Sequence, residues 1–142
     1  MTIAKIVDNR DPTVISCTPR DSVLLAAQLL AEKRIGALPV IDEDRVAGIF
    51  SERDLLYCIA KEGPATLHRA VGEVMTSPAI TITRDVGVLA ALSLMTKRRI
   101  RHLPVVEGDR MVGFVSIGDI VKYRMDRMEA EAQQMRDYIT TA

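Results

Sequence analysis

The chain has 142 residues, 48% apolar and 27% charged, which suits one globular domain or two half-size units and excludes a disordered chain. Lys and Arg together number 19, as do Asp and Glu, so the net charge is zero and nucleic acid is not an expected partner. No apolar run reaches the roughly 18 residues that span a bilayer, and two cysteines without C-x-x-C spacing, beside two histidines, argue against zinc.

The opening MTIAKIVDNRD contains acidic residues and lacks an apolar signal core, so a cytoplasmic location is expected, with Cys17 and Cys58 reduced in apolar settings. Residues 14–17 read as a short strand. Thr18-Pro19-Arg20-Asp21 then offers a cap, a proline for the first turn and a carboxylate, which predicts a helix start. Val23, Leu24, Ala27, Leu30 and Ala31 give that helix an apolar stripe. Residues 38–41 and 46–50 read as strands around the turn Asp42-Glu43-Asp44, and a second helix follows from Ser51. Residues 61–78 read as a connector.

The same order then returns. Residues 79–82 form a short β-rich run, Val88, Leu89, Leu92 and Met95 a helical stripe, and 103–106 and 111–115 strands around Glu107-Gly108-Asp109. Residues 14–60 align on 79–125 without a gap, and Leu38-Pro39-Val40 repeats as Leu103-Pro104-Val105. The expected fold is α+β: two β-α-β-β-α units related by a pseudo-twofold axis, with a long C-terminal helix. The boundaries expected are 1–66 for the first repeat with its N-terminal segment, 67–125 for the second, and 126–142 for the helical extension. Neither half is large enough to bury a sufficient core alone.

Each repeat carries one phrase, GIFSERD at 48–54 and GFVSIGD at 113–119. Ser51 with Asp54, and Ser116 with Asp119, have capping-box spacing, which explains Ser and Asp without any ligand. The same geometry also suits a phosphorylated sugar. A helix N-terminus presents free N–H groups, Gly48 or Gly113 permits close approach, and an ionised Asp accepts from two neighbouring hydroxyls. At this point both readings stand.

The duplication, the I-x-x-LPV lead into the second strand, and G-h-h-S-x-x-D in each half make the chain resemble a tandem pair of CBS domains, from about Asp8 to Arg124. The resemblance implies a stand-alone, non-catalytic sensor whose clefts take adenosine ligands: AMP foremost, also ATP, ADP or NAD(H), as regulatory ligands rather than required cofactors. It implies Asp54 and Asp119 on ribose hydroxyls, and Ser51 and Ser116 on phosphate or ribose. It also implies Val14, Ile15 and Ile35 from the first half, and Ser77, Ile80 and Ile100 from the second, around adenine. CBS pairs commonly stack as dimers, so a homodimer and an unidentified effector protein are the expected partners.

The halves differ. Arg101 and His102 precede the second LPV strand, where family members contact phosphate, whereas the first half has Gly36-Ala37 there. Arg53 lies within the first phrase, so Arg101 and His102 are expected to serve the cleft of Asp119 and Arg53 that of Asp54. Lys97 and Arg98 read as a solvated helix end. Val121, Met125, Met128, Ala132, Met135 and Ile139 follow a heptad seam, for self-association or for folding back on the domain. No nucleophile–base set, metal cluster or P-loop is evident, so an enzyme is not expected. An interaction scaffold with vestigial clefts and an S-adenosylmethionine sensor are the alternatives.

Overall fold

The computed structural model describes residues 1–10 and 13–141. Helix α1 (Ala4–Val7) comes first, then α2 (Val23–Lys33), strands β1 (Ala37–Asp42) and β2 (Arg45–Ser51), and α3 (Glu52–Glu62). A 3-10 helix (Gly63–His68) and α4 (Val71–Val74) form the connector. The second repeat supplies α5 (Val88–Arg98), β3 (His102–Glu107), β4 (Arg110–Ser116) and the long α6 (Ile117–Thr141). The strands form one antiparallel sheet in the order β1-β2-β4-β3, and the hairpins meet at its middle through the single pair Arg45–Arg110. Both β-β turns occur where expected. Glu43 and Asp44 adopt φ of 50° and 67°, the positive values that a two-residue hairpin turn requires.

The leading strand of each repeat is reduced to one bridge. Cys17 pairs in parallel with Val40, and Ile82 with Val105. Cys17 N–H donates to Pro39 O at 3.1 Å, and Ile41 N–H donates to Cys17 O at 2.8 Å. The next rung toward residue 15 would need an N–H from Pro39, which proline lacks, and Pro104 imposes the same limit in the second repeat.

The first long helix also starts later than Thr18-Pro19 suggests. Thr18 N–H donates to Asp21 Oδ2 at 2.8 Å, closing a turn, and Ser22 is the true cap, its Oγ accepting from Leu25 N–H at 3.1 Å. The turn is held by the connector: Val23 N–H donates to Arg69 O at 2.9 Å and Val71 N–H to Asp21 O at 2.8 Å. The buried face of α2 is Val23, Ala26 and Leu30, so Leu24 and Ala31, placed on the stripe by spacing, are solvent-facing.

Two cores result, one per repeat, and each is completed by a segment that precedes the opposite repeat in the chain. Ile3 and Ile6 are buried with Ile82, Val88, Met95, Leu103 and Val115 of the second repeat. Val71 is buried with Cys17, Val23, Leu30, Leu38 and Phe50 of the first. The chain therefore passes from one core to the other ahead of each repeat, and on those passages Arg10 lies against Asp119 and Thr76 against Asp54.

Candidate functional site

Each phrase ends a strand and begins a helix. Asp54 Oδ2 accepts from Ser51 N–H at 2.9 Å and from Ser51 Oγ at 3.0 Å, while Asp54 N–H donates to Ser51 Oγ at 3.2 Å. The capping box is therefore real. The other oxygen of Asp54, Oδ1, accepts from Thr76 Oγ1 at 3.0 Å and from no other described residue, and a carboxylate oxygen has capacity for a second donor.

Both glycines lie close against other parts of the chain. A Cβ on Gly48 would lie 2.6 Å from Thr76 O and 2.8 Å from Met75 Sδ, because Thr76 exchanges backbone hydrogen bonds with Ile49. On Gly113 it would lie 2.9 Å from both methyls of Val7. At Gly48, where the near atom is backbone, only glycine admits the approach.

The crossing beside Gly48 roofs a cavity of about 390 Å3. Its apolar lining is Ile49, Pro78, Ala79, Ile80, Ile100 and Ile117, and its polar lining includes Ser51, Asp54 and Thr76 together with Glu52, Arg53, Arg99 and Arg101. Arg53 and Arg99 come from different repeats and meet across the opening, Arg53 Nη1 lying 3.5 Å from Arg99 O. Arg99 is turned there by its left-handed conformation, φ 54°, at the end of α5. His102 is stacked on Phe114 with ring centroids 5.5 Å apart. Burial, then the charge of Arg101, pulls the imidazole below its usual pKa, with Asp119 and Glu52 opposing.

The second phrase is built alike but occupied differently. Ser116 N–H donates to Asp119 Oδ2 at 2.7 Å, and Asp119 N–H to Ser116 Oγ at 3.1 Å. Here the crossing segment supplies Arg10, whose Nη2 lies 2.9 Å from Asp119 Oδ2 and whose Nη1 donates to Phe114 O at 2.9 Å. Burial pushes the Asp119 carboxyl up, but the bonds from Ser116 and Arg10 outweigh it and hold it below the usual range. A cation of the protein itself sits on the carboxylate of the second phrase.

Of the expected site residues, Ser51, Arg53, Asp54, Ile80, Ile100, Arg101, His102 and Ser116 line the cavity together. Arg101 and His102, expected beside Asp119, line the cavity that Asp54 also lines, while the charge of Asp119 still acts on His102. The pseudo-twofold axis brings the loop of one repeat against the phrase of the other, which spacing within a repeat does not reveal. Ile15 and Ile35 pack against the first core, Val14 lies apart from this cavity, and Ser77 Oγ donates to Ala47 O at 2.9 Å. Lys97 and Arg98 are exposed in the last turn of α5, as expected. Sequence reasoning missed Thr76, Glu52, Arg99 and Arg10. Arg99 lay within the basic run, but Arg10 and Thr76 belong to segments without a motif.

The family profile described as "CBS domain" matches residues 7–61 and again 71–126. The chain belongs to the CBS-domain family. Such pairs are regulatory modules rather than catalysts. The CBS domain-containing protein CBSX3, mitochondrial, of Arabidopsis thaliana is 37% identical over 134 residues, 91% of this chain, which spans 65% of that protein's length. The crystal structure of a CBS-domain protein from Agrobacterium tumefaciens is 36% identical with a TM-score of 0.81, covering 87% of this chain and 92% of that one. Two CBS structures at 26% identity hold adenosine-derived ligands, each covering 89% of this chain and 98% of its own. CBSX2 is in complex with AMP, at a TM-score of 0.77, and the pair of protein MJ0100 with 5′-methylthioadenosine and S-adenosyl-L-methionine, at 0.75. Among the described residues no helix is long and apolar enough to cross a membrane, and no group of three or more His, Cys, Asp or Glu could hold a metal ion.

Proposed function

We propose that this CBS pair binds one adenosine-containing ligand per chain in the cavity at Asp54 and passes its occupancy to a partner by conformational change. AMP is the first candidate, with ATP, ADP and NAD(H) able to use the same contacts. The observation that carries the reading is the joint presence, in one cavity, of a carboxylate for a ribose diol, an apolar lining for a purine and three arginines for phosphate. The adenosine ligands of related CBS structures support it.

The lining comes from both repeats: Ser51, Arg53 and Asp54 from one, and Ile80, Ile100 and Arg101 from the other. A ligand touching both favours the arrangement that closes them together, and linkage passes that preference to whatever reads the outer surface. We place a second copy of the chain first among those readers, beside an effector protein. Glu52 favours a second reading, an S-adenosylmethionine sensor, because a carboxylate suits a sulfonium or ammonium group better than a phosphate.

Thermal unfolding of ligand-free protein with AMP, ATP, NADH, S-adenosylmethionine and GMP separates these. A ligand held in the folded state at 100 times Kd adds about 2.7 kcal/mol, a rise of several degrees at this size. Adenine nucleotides are expected to give it and GMP not. A response to S-adenosylmethionine alone selects the second reading, and no response to any adenosine compound rejects both.

A further inference from the structure

Helix α6 runs for 25 residues, about 37 Å at 1.5 Å per residue. Only its start docks: Ile120 is buried, and Ile117 and Tyr123 pack on the second core. Every residue from 125 to 141 is exposed. In proteins most helical stability comes from packing an apolar face against a neighbour. The internal contacts of α6, such as Arg127–Glu131 at 3.8 Å, contribute only tenths of a kcal/mol. Yet it carries an apolar stripe, Val121, Met125, Met128, Ala132, Met135 and Ile139, in steps of four and three. Met125 and Met128 are each 61% exposed and Ile139 is 67% exposed.

The flanking charges bear on what would cover that stripe. On this seam Met125, Ala132 and Ile139 are a positions and Val121, Met128 and Met135 d positions, which makes Arg124 and Glu131 g residues and Lys122, Glu129 and Arg136 e residues. Two copies in parallel, in register, place Arg124 of each against Glu129 of the other and Glu131 against Arg136. Every such charged pair is attractive. Antiparallel helices overlapping along the whole seam place Glu129 on Glu129, Glu131 on Glu131 and Lys122 on Arg136. Each of those is repulsive. We propose that α6 forms a parallel two-stranded coiled coil with α6 of a second copy of this chain, oriented by the Arg124–Glu129 and Glu131–Arg136 pairs. The proposal rests on the second copy named above as partner and is independent of the ligand.

Sedimentation equilibrium of the full chain tests it, with AMP titration run on every variant so that nucleotide binding is judged separately. Wild type is expected to be dimeric. Glu129→Lys with Glu131→Lys turns all four attractive pairs repulsive, and at the strength of exposed ion pairs self-association weakens roughly tenfold or more. Arg124→Glu with Arg136→Glu does the same alone, and mixing the two variants restores the dimer. Ala132→Cys, in a Cys58→Ser background, is expected to cross-link to itself under mild oxidation. A monomeric wild-type chain overturns the proposal. So does a dimer indifferent to both charge variants, which assigns association to the stacked repeats. Cross-linking only between Ala132→Cys and Met128→Cys chains overturns it in favour of the antiparallel pair.

Discussion

Replacing Arg10 by Ala is expected to tighten a second nucleotide site. The Arg10 guanidinium makes two bonds, to Asp119 Oδ2 and to Phe114 O, each at 2.9 Å. A fully buried charged bond is worth about 1.5–3 kcal/mol, but these side chains are 34% and 33% exposed, so the ion pair is screened and falls nearer 1 kcal/mol. Displacing Arg10 then costs a ligand about 1–2 kcal/mol, or roughly 5- to 30-fold in affinity at that cleft. Isothermal titration with AMP is expected to show a second event roughly 5- to 30-fold tighter in Arg10→Ala than in wild type, lost in Arg10→Ala with Asp119→Asn. Acid should loosen the same latch. The pKa of Asp119 is depressed in the folded state, so the stability it contributes is full above its ordinary value of 3.8 and is lost as pH falls through the lower folded value. An Arg10→Ala variant whose second event is no tighter than in wild type, or a wild type with two equal sites, refutes the latch.

Gly48→Ala is expected to destabilise by roughly 1–3 kcal/mol, since the new methyl meets the Thr76 backbone at 2.6 Å, and to weaken AMP because Thr76 lines the cavity. Gly113→Ala meets only the Val7 side chain, and thermal unfolding should rank it milder. A phosphate arriving beside His102 favours its charged form, so AMP affinity should rise as pH falls from 8 to 6, and His102→Gln should flatten that dependence in the same titration. The pKa of His102 is depressed in the folded protein, so its contribution to stability is full above its ordinary value of 6.5 and is lost as pH falls below it. Cys17 is buried and its thiol is pushed up to about 11 by burial and then by Asp21, so alkylation of native protein followed by mass spectrometry should find Cys58 modified and Cys17 spared.

The duplication made most of the fold legible, because offsets within a repeat carry both the strand hairpins and the Ser–Asp boxes. What the sequence hid lies between repeats. Pro39 and Pro104 were read as part of the LPV strands, yet their missing N–H groups cut the leading strands to one bridge. Ser22 rather than Thr18 caps α2 because the connector, remote in sequence, ties down the preceding turn. Gly48 invited a ligand reading, and the close neighbour turned out to be the chain itself. Arg101 and His102 were recognisable as cavity residues but not as neighbours of Asp54, since a linear offset is silent on how the pseudo-twofold axis pairs the halves. Arg10, in a segment with no motif, acquires meaning only where it meets Asp119.

The central claim is that Asp54 holds the ribose of an adenine nucleotide. Asp54→Asn keeps an acceptor for the cap at Ser51 but removes the charge, so its unfolding temperature should stay near wild type. Titrated with AMP, it is expected to bind at least about tenfold more weakly, from the loss of charge-assisted bonds to the diol, while Asp119→Asn binds like wild type. Wild-type affinity in Asp54→Asn would contradict the account and leave the phrase as a helix cap alone.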